Sequence, residues 1–276
     1  MNKGKVYIVG AGPGDPKLIT VYGRECIEKA DVIIYDRLVS SQLLTYAKEG
    51  TTLLYCGKEP RKHGNIQQQI HQWLVEHALQ GKTVVRLKGG DPFMFGRGGE
   101  EAEHLRAYGI PYEIVPGVTA GVAAPAYAGI PVTHRNYAGG VTFIAGHQSG
   151  ERDRIRWDAL SEATDTIVFY MGMANIAYIC EQLQRHGKDG ETPVAVIEWA
   201  TTTEQRTVVG TLQTIVDIVH EKQLSSPAII VVGDVVRLHD QLKWVEENGD
   251  CLYGGWKRKT TAAVGLAVRA AGHGKK

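Results

Sequence analysis

The sequence predicts an α/β protein of two domains, each built on a mainly parallel sheet, with a ligand cleft between them. Three observations point there. Short β-branched runs alternate with longer helical stretches along most of the chain, the pattern of βαβ units. The alternation runs twice, and a Gly- and Ala-rich stretch punctuated by Pro116, Pro125 and Pro131 joins the two series. The 33 glycines are about 12% of the 276 residues, against a usual level of roughly 7%, which implies tight turns and loops that wrap a ligand.

The first series opens with Val6-Tyr7-Ile8-Val9, and further strands are expected over 32–35, 52–55, 83–87 and 112–115. Helices fall between them near 16–29, 40–48, 66–80 and 98–108. The second series has strands at 141–145, 167–170, 194–197, 206–209 and 229–232, with helices near 154–162, 175–186, 212–221 and 235–246. In the joining stretch Thr119 is placed to cap a helix of small residues. The expected division is therefore 1–116, 117–250 and a remaining segment, 251–276, read as a mobile basic tail.

Composition narrows the class of function. Hydrophobic residues make up 43% and charged residues 22%, ordinary for a globular protein. The formal net charge is +1, but six basic residues and no acidic one follow Asp250, leaving 25 basic against 30 acidic groups before it. A body of that sign is poorly suited to nucleic acid, where phosphate neutralisation supplies most of the non-specific affinity. Four scattered cysteines with no CxxC pair fit reduced thiols and argue against disulfide staples or a zinc site. No apolar run approaches the ~20 residues of a membrane helix. The apolar stretch after Lys5 is too short for a signal peptide, so a soluble cytoplasmic protein is expected.

Two glycine loops carry the chemistry. The first, Gly10-Ala11-Gly12-Pro13-Gly14-Asp15, opens like a dinucleotide-binding turn, and Asp36 ends the second strand where a ribose-binding acid would sit. Asp15, however, puts a carboxylate where pyrophosphate needs donors, and Pro13 removes a backbone N–H. A phosphate-free ligand such as S-adenosylmethionine suits this loop better than a nicotinamide dinucleotide. The second loop is Lys88-Gly89-Gly90-Asp91-Pro92-Phe93-Met94-Phe95-Gly96-Arg97-Gly98-Gly99-Glu100-Glu101, which follows one strand and opens a helix.

With these loops the chain resembles the tetrapyrrole methylases. The likeness extends through Tyr35-Asp36-Arg37-Leu38-Val39-Ser40, Cys56-Gly57-Lys58, Val115-Pro116-Gly117-Val118-Thr119-Ala120-Gly121, Gly129-Ile130-Pro131-Val132-Thr133-His134-Arg135 and Tyr170-Met171-Gly172. It covers roughly residues 5–244 in order, and it is strongest to the members that methylate uroporphyrinogen III. The resemblance implies a homodimer. It implies S-adenosyl-L-methionine as methyl donor, S-adenosyl-L-homocysteine as its product, and no metal. It also implies transfer to carbons 2 and 7 of uroporphyrinogen III to give precorrin-2, which feeds sirohaem and cobalamin synthesis.

Methyl transfer requires the acceptor carbon to be held roughly 3–3.5 Å from the methyl and in line with sulfur. A carboxylate near the acceptor's pyrrole N–H would stabilise developing charge or take a proton. Asp36 matches the family's proposed base, with strand-end capping or ion pairing as the alternative. Lys58 matches the proposed proton donor, or else neutralises a substrate carboxylate. The substrate carries eight carboxylates, so Arg37, Arg97 and Arg135 are expected to bind it, with Lys88, Arg61 and Lys62 as further candidates. For the donor the resemblance carries over to Pro13, Gly89, Gly90, Asp91, Met94, Thr119, Ala120, Met171, Ala200 and Ala228. Asp91 is the charged member, able to accept from a ribose hydroxyl or an ammonium. His134 and His147 read as hydrogen-bonding residues. Three other functions compete: a precorrin methyltransferase of different regiochemistry, a nicotinamide-dependent oxidoreductase, and a tetrapyrrole-binding module without turnover.

Overall fold

The computed structural model describes residues 3–57, 66–146 and 155–245. One sheet is built from β1 (Val6–Gly10), β2 (Val32–Tyr35), β3 (Thr52–Tyr55), β4 (Val84–Lys88) and β5 (Tyr112–Val115). Its strand order is β3-β2-β4-β1-β5, and every pairing is parallel. Parallel neighbours need long crossovers, and α1 (Val21–Lys29), α2 (Ile66–Leu79) and α3 (Gly98–Ala107) lie in them. With both faces covered, alternate residues feed two cores. Ile8, Ile34 and Val84 pack with Ile70 and Leu74 of α2 and Leu105 of α3. Val9, Ile33, Val85 and Leu87 point the other way, onto Cys26 and Ile27 of α1. Each such side chain contributes about 1.5–3 kcal/mol on burial. The chain leaves β1 towards β2 and leaves β4 towards β5, in opposite directions across the sheet. The reversal between adjacent β1 and β4 opens a crevice beyond their carboxyl ends.

The second sheet contains β6 (Val141–Ala145), β7 (Thr166–Tyr170), β8 (Pro193–Glu198), β9 (Arg206–Thr211) and β10 (Ala228–Val232), in the order β6-β7-β10-β8-β9. Here only β6 and β7 are parallel; β7–β10, β10–β8 and β8–β9 are antiparallel. Parallel pairing thus predominates over the two sheets together and is complete only in the first. The reason is partly connection length: residues 199–205 between β8 and β9 are too few for a parallel crossover, which takes a dozen or more. The helices α5 (Trp157–Ala163), α6 (Ile176–Arg185) and α7 (Ile215–Glu221) cover one face. On the other face α4 (Ala120–Tyr127) lays Ala124 against Val168, Ala195 and Val231. We refer to the two sheets with their helices as the first and second lobes.

The expected helices differ from the observed ones at several places. Residues 16–29 form a 3-10 turn, Pro16–Leu18, and then α1, because Thr20 intervenes as a cap whose hydroxyl accepts from the Gly23 N–H at 3.0 Å. The stretch 40–48 closes only as 3-10 turns over Ser41–Tyr46. Near the end, a 3-10 segment Asp234–Leu238 precedes a single turn, α8 (His239–Leu242). Residue 246, the expected tail 251–276 and the start of the 154–162 helix lie outside the described residues. No helix among the described residues is long and apolar enough to cross a membrane.

Where the first lobe passes into the chain leading to α4, three segments meet backbone to backbone. A Cβ on Gly10 would lie 2.6 Å from the Gly117 Cα and 2.7 Å from the Gly90 carbonyl oxygen, closer than real atoms approach. Gly10 ends β1, Gly90 follows β4 and Gly117 follows β5, so one added methyl would push three chain segments apart at once. Gly117→Ala is expected to cost about 1–3 kcal/mol, the range for overpacking a tight site. Thermal denaturation of the variant measures it, and an unchanged melting temperature would show that the junction has slack.

Candidate active site

At the mouth of the crevice the two glycine loops are joined as a short antiparallel bridge. The Gly90 N–H donates to the Gly12 carbonyl at 2.7 Å, and the Gly12 N–H returns a bond to Gly90 at 3.2 Å. Gly90 has φ +69, and a Cβ there would project to within 3.9 Å of the Ala120 nitrogen and 4.0 Å of the Thr119 Cα. The absent side chain keeps open the space in front of the first turn of α4. Gly89 serves a different end, letting Leu38 approach to 3.1 Å of where its Cβ would be.

Asp91 has more partners than its sequence role implies. Oδ1 accepts from the backbone N–H groups of Phe93 (2.8 Å) and Met94 (3.1 Å), and Oδ2 accepts from Gly117 (3.0 Å). Three of about four acceptor sites on the carboxylate are therefore taken by main chain. The residue staples the Gly89–Gly90 loop to the strand of chain that enters α4, with one lone-pair direction left for a ligand.

Met94, Ala120 and Ala200 converge, half-buried, on the core face of the second lobe that α4 covers. Thr119 directly precedes α4 but does not cap it: its hydroxyl meets that of Tyr170 at 2.6 Å. Tyr170 instead accepts from the Gly121 N–H at 2.7 Å, supplying the cap from a neighbouring strand. Phe95 packs against the same ring at a tilt of 55°, with centroids 4.8 Å apart. Met171 follows with φ +54, a backbone turn that leaves it 47% exposed. Pro13 is half-buried in the first loop. Ala228 departs from this set, since its side chain packs on the opposite face of the second sheet; only its backbone, alongside Met171 by the β7–β10 register, can share the site.

Asp36 directly follows β2 at the rim of a buried charge cluster. Its Oδ1 accepts from Arg86 at 2.6 Å and from the Cys56 thiol at 3.2 Å, while Oδ2 has no hydrogen bond from the described residues. The Asp36 side chain is 32% exposed, against 2% for Arg86 and 0% for Glu101. One Glu101 oxygen, Oε1, receives Arg86 (3.0 Å), Lys88 (2.9 Å) and Gln67 (3.4 Å); the other, Oε2, is buried with no partner. Burial opposes the charge on Arg86, but Glu101 and Asp36 more than offset it and raise its pKa. Lys88 is held below the usual lysine range by burial and by Arg86 beside it. Burial likewise pushes the Cys56 thiol up to about 12, so it stays a neutral donor towards Asp36. Two cations in the fully buried central strand Val84–Lys88 were the sequence signal for this cluster, since buried charges require partners.

The expected substrate cations separate into groups. Arg37 and Arg135 are exposed on loops. Arg97, with φ +58 at the start of α3, forks onto Glu100 at 2.9 and 2.6 Å and remains 55% exposed. Lys88 cannot meet a substrate carboxylate, being buried against Glu101. Lys58, Arg61, Lys62 and His147 lie outside the described residues. His134 accepts from the Asn136 N–H through Nδ1 at 3.2 Å, a local turn contact.

Comparison with known proteins decides the family. The profile of the tetrapyrrole (corrin/porphyrin) methylases matches residues 5–216. The chain belongs to that family. A uroporphyrinogen-III C-methyltransferase of Priestia megaterium is 58% identical to this methylase over 234 residues, 84% of this chain and 98% of the relative. A second, from Bacillus subtilis, is 53% identical over 88% of this chain and 95% of its own. Among solved structures, the Thermus thermophilus uroporphyrin-III C-methyltransferase complexed with S-adenyl homocysteine superposes with a TM-score of 0.72 at 36% identity, over 85% of this chain and all of that one. A cobalt precorrin-4 methyltransferase superposes at 0.76 with 29% identity, over 84% and 95%.

Glu101→Gln in this methylase removes the anion that two buried cations share. The unfolding free energy is expected to fall by roughly 3 kcal/mol, as when one partner of a buried ion pair is lost. Denaturant titration of the variant checks this, and an unchanged midpoint would mean that the cations find another partner.

Proposed function

We propose that the chain is an S-adenosyl-L-methionine-dependent uroporphyrinogen-III C-methyltransferase, adding methyl groups at carbons 2 and 7 to give precorrin-2 by way of precorrin-1. The observation that carries this is the open cradle at Gly90. Backbone from both glycine loops faces the first turn of α4 there, and a Cβ on Gly90 would project into that space, 3.9 Å from the Ala120 nitrogen. The cradle fits a donor that approaches main chain closely and bears no phosphate: Asp91 and the half-buried Met94, Thr119 and Ala120 border it, with no free cation among them. S-adenosylmethionine supplies the electrophilic methyl on a sulfonium when bound. The chain is read as two domains, 1–116 and 117–250, from its two strand–helix series, as cytoplasmic from its scattered cysteines without a CxxC pair, and as a homodimer from its family resemblance.

In this assignment Asp36 is the base. Arg86 and the Cys56 thiol fix Oδ1, leaving Oδ2 turned to neither and available to the acceptor's pyrrole N–H as the carbon bond forms. Lys58 follows Cys56 and Gly57 in sequence, and is assigned to proton donation or to a substrate carboxylate. The exposed Arg37 and Arg135 are assigned to the polycarboxylate acceptor, as is Arg97 once it leaves or shares Glu100. A methyltransferase of other regiochemistry is the second reading, supported by the likeness to the cobalt precorrin-4 enzyme.

Incubation with S-adenosylmethionine and uroporphyrinogen III, followed by mass analysis of the tetrapyrrole, is expected to show a gain of two methyl groups. A single methyl or none would overturn the assignment. Asp36→Asn is expected to lower turnover about 10²- to 10⁴-fold, the usual contribution of a general base, with donor affinity retained. Asp91→Ala is expected to weaken binding of S-adenosylhomocysteine measured by calorimetry.

A further inference from the structure

We propose that Asp15 is a positioning residue that sets the width of the donor pocket by hooking the first glycine loop onto the second lobe; this rests on the donor site proposed above. Asp15 is 4% exposed and belongs to the loop after β1; its carbonyl accepts from the Leu18 N–H within the loop at 3.0 Å, and two of its other hydrogen bonds leave the first lobe. Its Oδ1 accepts from the Lys17 N–H within the loop at 2.9 Å. Its Oδ2 accepts from the Tyr127 hydroxyl, at the end of α4, at 2.9 Å. Its own N–H donates to the Thr201 hydroxyl at 3.0 Å.

The receiving surface is itself built for the contact. Thr201 is buried with φ +64, and its N–H donates to the Gln205 side chain at 2.8 Å. Gln205 in turn donates to the Tyr127 carbonyl at 3.3 Å, so the 199–205 loop and α4 form one unit before Asp15 reaches them. Gly14 completes the fit: a Cβ there would stand 2.8 Å from the Thr201 hydroxyl and 3.1 Å from the Ala200 carbonyl oxygen. The loop that carries Pro13 is thereby pressed against the loop that carries Ala200. These are candidate donor contacts from opposite lobes, and Asp15 with Tyr127 fixes the distance between them.

A positioning role and direct contact with the donor's ammonium predict different mutant behaviour. Asparagine keeps the shape, one acceptor for Lys17 and an amide that Tyr127 can accept from, so geometry survives while charge is lost. Affinity for S-adenosylhomocysteine, measured by calorimetry, is expected to fall roughly tenfold in Asp15→Ala and in Tyr127→Phe. The double variant should be no weaker than the weaker single, because the two changes break one hook. Asp15→Asn should stay within about threefold of the parent. Uroporphyrinogen KM should change less than donor KM in every case. Additive losses, a collapse in Asp15→Asn equal to that in Asp15→Ala, or a folded Tyr127→Phe with parental affinity would each overturn the proposal. Should Asp15→Ala fail to fold, Tyr127→Phe and Asp15→Asn carry the test. A parent protein that does not bind S-adenosylhomocysteine at all would instead refute the donor site itself.

Discussion

Three stretches of backbone meet at Gly10, Gly90 and Gly117, with no space between them for a single side-chain carbon. They are the continuations of β1, β4 and β5, neighbours at the centre and edge of the first sheet. Their contact brings the Gly89–Gly90 loop and the entry to α4 to the same side of the crevice. Asp91 then locks it by bonding both to its own loop and to Gly117. Every other feature of the candidate site, from the Gly12–Gly90 bridge to the half-buried Met94, presupposes that these chains are so close.

Around this junction the protein handles charge in two ways. Within the first lobe, Arg86, Lys88, Glu101 and Asp36 share a cluster in which only Asp36 has substantial exposure. The interior charges compensate one another, and the carboxylate at the rim is left with one oxygen held and one unbound by the described residues. Between the lobes, Asp15 is satisfied by backbone N–H and hydroxyl donors rather than by a cation. Such neutral donors satisfy a buried carboxylate and still hold a definite geometry.

Much of this organisation was legible in the sequence. The ten strands among the described residues overlap the β-branched runs, because such side chains suit the pleated sheet whether a strand is central or at an edge. The glycine loops and Asp36 stood out for a similar reason, since local sequence dictates turns and strand ends. What escaped was non-local. Asp15 could be read as unfavourable to phosphate but not as a bond to Tyr127, which lies 112 residues away. The antiparallel neighbours of β10 depend on how connections cross the sheet, which single-strand patterns do not encode. Thr119 looked like a cap because of its residue type, yet a tyrosine from β7 took that place. The continuous helix expected over 16–29 is broken into a 3-10 turn and α1 where the Thr20 side chain caps the second piece.

The neutral state of Cys56 has a chemical consequence. A thiolate is a stronger nucleophile than a pyrrole carbon, and one beside the carboxylate proposed as base would compete for a sulfonium methyl. Burial that pushes the thiol up to about 12 keeps it protonated near neutral pH. The burial that lets a neutral thiol donate to Asp36 thus also holds that sulfur in its less nucleophilic form.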